Sequence, residues 1–135
     1  MAESKPTRDQ ERAQAAFARV EARKKAGGGK TAEYKTQCLH LPALIHHCGL
    51  CQALAFLEAK AAGDGKPYFQ HLLEDLAAVS KLAESREKLT AGVRAAGVQE
   101  YQRMTIEAMA CAQWLKRYAE ALLKDAPAAL MAKQP

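Results

Sequence analysis

The residue types best suited to chemistry gather in one stretch: His40, His46, His47, Cys48 and Cys51, with Cys38 just before them. Cys48-Gly49-Leu50-Cys51 has the CxxC spacing. In redox proteins that spacing lowers the pKa of the first thiol when the thiol sits at a helix N-terminus behind a strand. No alternating strand pattern precedes it here, so that setting is missing. The same side chains are zinc-ligand types. Structural zinc, however, usually takes two ligand pairs parted by a loop, and adjacent histidines point about 100° apart on a helix. The simplest expectation is that Cys48 and Cys51 pack as small apolar residues at a helix joint. A metal- or thiol-dependent helical enzyme centred on this pair is the alternative.

Other candidates fail on spacing. Gly27-Gly28-Gly29-Lys30-Thr31 resembles the end of a phosphate-binding loop, but Lys24 stands where that loop needs its first glycine, and a helix rather than a strand precedes it. Glu74 and Asp75 are adjacent and diverge on their helix. Ser80 and Ser85 have no His or acid at a productive spacing. The expectation is a chain with no catalytic residue, cofactor or metal site.

The elements that carry these residues read as helices throughout. A 135-residue chain with 6% aromatic residues fits one Ala- and Leu-rich helical domain spanning 1–135 better than a sheet sandwich. The strongest segment is Tyr101–Lys124. There Tyr101, Met104, Ala108, Cys111, Leu115, Tyr118 and Leu122 share one face of a helix about 36 Å long. Thr7 with Gln10 has the capping-box spacing for an N-terminal basic helix over 7–25, with Gly27–Gly29 as a flexible joint after it. Thr31 is expected to cap a second helix, in which Pro42 makes a kink or starts a new helix. Leu50, Leu54 and Leu57 mark the next helix, with Phe56 flanking their stripe. Gly63–Pro67 is a turn, and the following helix is expected over Tyr68–Glu84, with an inward stripe that includes Ser80 and Ala83. Ser85 caps a shorter helix, and Gly97 precedes the long one. Residues 1–6 and 128–135 are expected to be disordered. The fold class is all-α, a single compact bundle of about five to seven helices with a long C-terminal helix.

No run of apolar residues approaches the length that spans a membrane, and the polar N-terminus is not a secretory signal, so the expected location is cytoplasmic, with cysteines reduced. The formal net charge is +5, and almost all of the surplus lies in the first 35 residues. Arg8, Arg12, Arg19 and Arg23 fall within about 60° of one another on the helical wheel, a stripe that could face a polyanion or simply keep a helix face soluble. A free-standing basic helical protein that binds nucleic acid is a further alternative. On the long helix, Lys116, Arg117 and Lys124 add positive charge. Trp114 lies beside the main stripe, placed for packing or for a subunit contact.

The residues then carry a resemblance. Leu41-Pro42-Ala43-Leu44-Ile45 followed by Gly49-Leu50, Gln52-Ala53-Leu54-Ala55-Phe56-Leu57 and Lys60 resembles the central signature of the fifth Cmr subunit family. That family is the small α-helical subunit of the type III-B CRISPR-Cas RNA-silencing (Cmr) complex. Trp114-Leu115-Lys116-Arg117-Tyr118-Ala119-Glu120-Ala121 resembles its other signature, with Tyr101, Thr105, Glu107 and Ala108 at matching places upstream. The resemblance covers roughly residues 10–124. It implies a non-catalytic structural subunit of an antiviral ribonucleoprotein, lining the channel where guide RNA and target RNA pair. Its partners would be other Cmr subunits and those RNAs, with no membrane and no small-molecule substrate. Lys116 and Arg117 match the signature directly and are the first choice for a basic contact surface. Arg8, Arg19 and Arg23 rest on the wheel alone. Replacing Arg12, Arg19 and Arg23 with Ala is expected to weaken RNA association while leaving the fold intact.

Overall fold

Six helices form in chain order: α1 Arg8–Ala26, α2 Thr31–Cys48, α3 Leu50–Ala61, α4 Pro67–Ser80, α5 Arg86–Ala95 and α6 Val98–Leu122. The structure is a computed structural model that describes residues 4–27, 30–63 and 65–123, among which there is no strand. The expected joint at Gly28-Gly29 and the tail at 128–135 lie outside the described residues. Residues 4–6 are exposed and precede α1 without regular structure.

The long helix organises the bundle. α6 packs chiefly against α2 and α1, while α4 bridges α1, α2 and α3. Its inward side buries Met104, Ala108, Cys111, Ala112, Leu115 and Ala119. The small residues let neighbouring backbones approach, and Leu115 fills the space they leave. The rest of the core is aliphatic: Leu41, Ile45, Leu50, Leu54, Leu57, Leu72, Leu73, Leu76 and Leu89 are each at most 1% exposed.

Local chemistry sets most of the boundaries. Thr7 and Gln10 form a reciprocal capping box: Gln10 N donates to Thr7 Oγ1 at 3.1 Å, and Thr7 N donates to Gln10 Oε1 at 2.7 Å. Ser85 Oγ accepts from Lys88 N and opens α5. Pro67 stands in the first turn of α4, where a missing N–H costs nothing.

Two boundaries differ from expectation, at Thr31 and at the end of α4, and the choice left open at Pro42 is narrowed. Thr31 is the first helical residue of α2, and no side chain caps that helix at Lys30; the Thr31 hydroxyl donates instead to Gly27 O at 3.3 Å. Pro42 does not start a new helix. α2 runs through it, and the buried face of Cys38, Leu41, Pro42 and Ile45 outweighs the roughly 3 kcal/mol that an interior proline costs. α4 stops at Ser80 rather than Glu84, because Lys81 adopts the left-handed conformation (φ 57°) and ends the helix. Glycine is the usual residue there, and a side chain with a Cβ costs about 1 kcal/mol or more.

The CxxC stretch is a helix junction. Cys48 ends α2, Gly49 turns at φ 81°, and Leu50 opens α3. Tyr101 Oη closes the turn by accepting from Cys51 N at 3.0 Å, and it sits 3.4 Å from where a Cβ on Gly49 would lie. The positive φ favours glycine there, and a Cβ would stand in van der Waals contact with the Tyr101 hydroxyl.

Candidate functional site

α1 needs help to stay in place, because it buries only Ala16 and Val20. Its arginine stripe supplies that help. Arg8 and Arg12, one turn apart, reach Glu107 on α6; Arg19 and Arg23, also one turn apart, reach Asp75 on α4. Arg8 Nη2 donates to Glu107 Oε2 at 2.6 Å, and Arg12 grips the same carboxylate with two N–H groups, at 2.9 and 2.6 Å. Cys111 Sγ adds a fourth donor, from a third residue, at 3.2 Å. Asp75 repeats the pattern. Arg19 Nε donates at 2.7 Å, Arg23 forks onto both oxygens at 3.1 and 2.9 Å, and the Tyr34 hydroxyl donates to Oδ2.

Each carboxylate thus takes one arginine end-on, one arginine bidentate and one neutral donor. Planar guanidinium forks suit this better than lysine would. The electrostatics agree with the geometry. The Arg12 guanidinium holds the Glu107 carboxyl below its ordinary value, and Glu107 in turn raises Arg12. Burial pushes the Tyr34 phenol and the Cys111 thiol upward, so both keep the proton they donate.

The expectation that the arginines could be replaced without touching the fold is therefore corrected: they are the fastening of α1. They remain partly accessible, with the side chains of Arg8 and Arg19 35% and 39% exposed. The stripe was legible, but its partners were not, since Asp75 and Glu107 lie 52 to 99 residues away along the chain. The usable signal was two i,i+4 arginine pairs set eleven residues apart.

Trp114 is half-buried at the α1–α6 contact. Its Nε1 donates to Asp9 Oδ1 at 3.0 Å, its ring stacks on Tyr118, and Tyr118 meets Phe17 of α1 edge-on. Lys116 is half-buried, and its amine has no ion pair among the described residues. Arg117 is exposed and lies 3.4 Å from Glu120 Oε1. Lys124 lies outside the described residues.

Beside the Glu107 clamp is a cleft of about 510 Å³ between the start of α1, the α4–α5 connection and α6. Arg8, Arg12, Lys81 and Arg103 line it, against Glu11 and Glu107. Arg8 Nη2 also donates to Ser80 O at 3.1 Å, closing the C-terminal end of α4. Arg8 Nη1 is buried without a hydrogen-bond partner among the described residues, 3.6 Å from Glu11 Oε1.

The thiols and histidines do not converge. Among the described residues no three of His, Cys, Asp and Glu are placed to hold a metal ion. Cys51 packs against the core as expected, but Cys48, the last residue of α2, is exposed and does not. All four cysteines are free thiols.

Comparison with known proteins decides the family. The model of the family described as CRISPR-associated protein (Cas_Cmr5) matches residues 8–122. The chain belongs to the Cmr5 family. It is 40% identical over 119 residues to the CRISPR system Cmr subunit Cmr5 of Thermus thermophilus, covering 88% of this chain and 98% of that protein. A crystal structure of a CRISPR-associated Cmr5 family protein from the same organism superposes with a TM-score of 0.78 at 37% identity, over 89% of this chain and all of that one. Two residues read as part of the Cmr5 resemblance acquire physical roles here. Tyr101 closes the α2–α3 joint, and Glu107 anchors α1.

Proposed function

We propose that this chain is a non-catalytic structural subunit of a type III-B CRISPR ribonucleoprotein, set along the channel where guide and target RNA pair. The observation that carries the reading is near-complete correspondence with a Cmr subunit at 40% identity. The disposition of charge supports it. Glu107 and Asp75 are tied to the arginines of α1, whereas Arg117 is exposed on α6 and the half-buried Lys116 has no ion pair among the described residues. Those two, with Lys124, are the residues proposed to meet RNA phosphates. The arginine stripe contributes its partly exposed edges to RNA or to a neighbouring subunit. Phosphate contacts position a nucleic acid without reading bases, which suits a machine whose specificity comes from pairing.

The test is charge reversal in the assembled particle. Lys116→Glu with Arg117→Glu should weaken RNA retention and flatten its salt dependence, with the far-UV helical signal of the chain retained. Equal retention at every salt concentration would remove these residues from the interface. RNA cleavage by the isolated chain would overturn the non-catalytic reading, and tight duplex DNA binding by it would favour a free-standing nucleic-acid binder.

A further inference from the structure

The cleft beside Glu107 has features that fastening α1 does not explain. Lys81 is exposed at its edge in the left-handed conformation that glycine would occupy more readily, and its amine has no ion pair among the described residues. Arg103, whose side chain is 75% exposed, stands opposite, with Glu100 as its ion partner. Between these cations lies Ile106, 70% exposed although it belongs to the central helix of the bundle, with Leu82 also in the wall. The three arginines of the wall are matched by Glu11, Glu107, Asp9 and Glu100, so Lys81 is the one lining cation without an ion pair among the described residues, and the wall beside it is partly aliphatic. None of its lining residues is aromatic.

That last feature selects between occupants. Single-stranded nucleic acid is held by a basic track together with aromatic faces on which bases stack. An unpaired lysine beside an exposed Ile and a Leu is instead complementary to a protein segment presenting a carboxylate next to an aliphatic side chain. From the juxtaposition of Lys81, Arg103, Ile106 and Leu82 around this cleft, we infer that it is a docking site for an acidic, aliphatic segment of a neighbouring protein subunit. The inference rests on the subunit reading above and names the face that such a neighbour would use. Lys81 is the residue most specific to it. A glycine there would relax the backbone, whereas the lysine sets a cation at the edge of the cleft.

Assembly of the particle with the full chain tests this. Carbodiimide coupling, which joins an amine to a carboxylate in contact with it, should link Lys81 to an Asp or Glu of a neighbouring subunit. Lys81→Gly should raise the melting temperature of the isolated chain by about 2–5 °C, since it relieves the left-handed Cβ. The same change should lower incorporation into the particle about tenfold. Ile106→Asp should lower incorporation at least as far without altering the melting temperature. If the wild-type chain assembles but Lys81 stays fully reactive to amine reagents, and both variants assemble normally, the docking site is refuted while the subunit reading stands. Photo-crosslinking of the cleft residues to RNA instead of protein would also refute it. If the wild-type chain enters no particle, the subunit reading itself falls.

Discussion

The two carboxylates that hold α1 have nearly the same ligands but different surroundings. Asp75 is fully buried, 0% exposed, under α1 and α2; Glu107 retains 15% exposure at the wall of an open cleft. The number of donors is matched, so burial is what separates them. A buried charge pair contributes little net stability over an apolar substitute, but losing one partner strands the other in a low-dielectric site. Near water, the stranded partner is rescued by solvent. The same constellation is therefore a structural rivet at Asp75 and an adjustable contact at Glu107.

The largest effect expected from this contrast is at the rivet. Asp75→Ala should destabilise the chain by about 3–5 kcal/mol, because it leaves Arg19, Arg23 and the Tyr34 hydroxyl without their common acceptor. Denaturant melts would measure it. Next is Glu107→Ala, expected to cost about 1–3 kcal/mol, since Arg8 keeps the α4 carbonyls and Arg12 keeps Asp9. If the two costs come out equal, burial is not what distinguishes the sites. A double-mutant cycle sharpens the point: Arg23 with Asp75 should couple more strongly than Arg12 with Glu107.

The same contrast explains what the sequence made legible. Helix number, the capping box at Thr7, the α6 stripe and the start of α4 at Pro67 are written in neighbouring residues, so local spacing reveals them. The length of α4 was not, because its end depends on Lys81 taking a conformation that lysine rarely adopts. Asp75 was discounted because it diverges from Glu74. That divergence is real, and it is what buries Asp75 among the arginines while Glu74 stays half-exposed. The arginine stripe was read on a wheel, and a wheel shows a face without showing what covers it. For Lys116 and Arg117, local charge shows only that the long helix is basic, and it is the family resemblance that singles them out as candidates.

The smallest expected effect is a pH response confined to the Glu107 end. The Arg12 guanidinium lowers the Glu107 pKa below its ordinary 4.5, and the Trp114 hydrogen bond, with Arg12, lowers that of Asp9 below its ordinary 3.8. A depressed folded-state pKa means that the unfolded chain binds protons more readily. The stabilisation is then complete above the ordinary carboxylate value and is lost as pH falls through the depressed one. The chain's single tryptophan reports on this end directly, because Trp114 Nε1 donates to Asp9, which also accepts from Arg12. On acidification below about pH 4.5, Trp114 fluorescence should change before the far-UV helical signal declines. Arg12→Gln should move the fluorescence transition to higher pH, because Glu107 and Asp9 both lose the cation that holds their protons off. Coincident fluorescence and helix transitions in the wild-type chain would mean that the two clamps open as one unit, and the distinction between rivet and adjustable contact would fail.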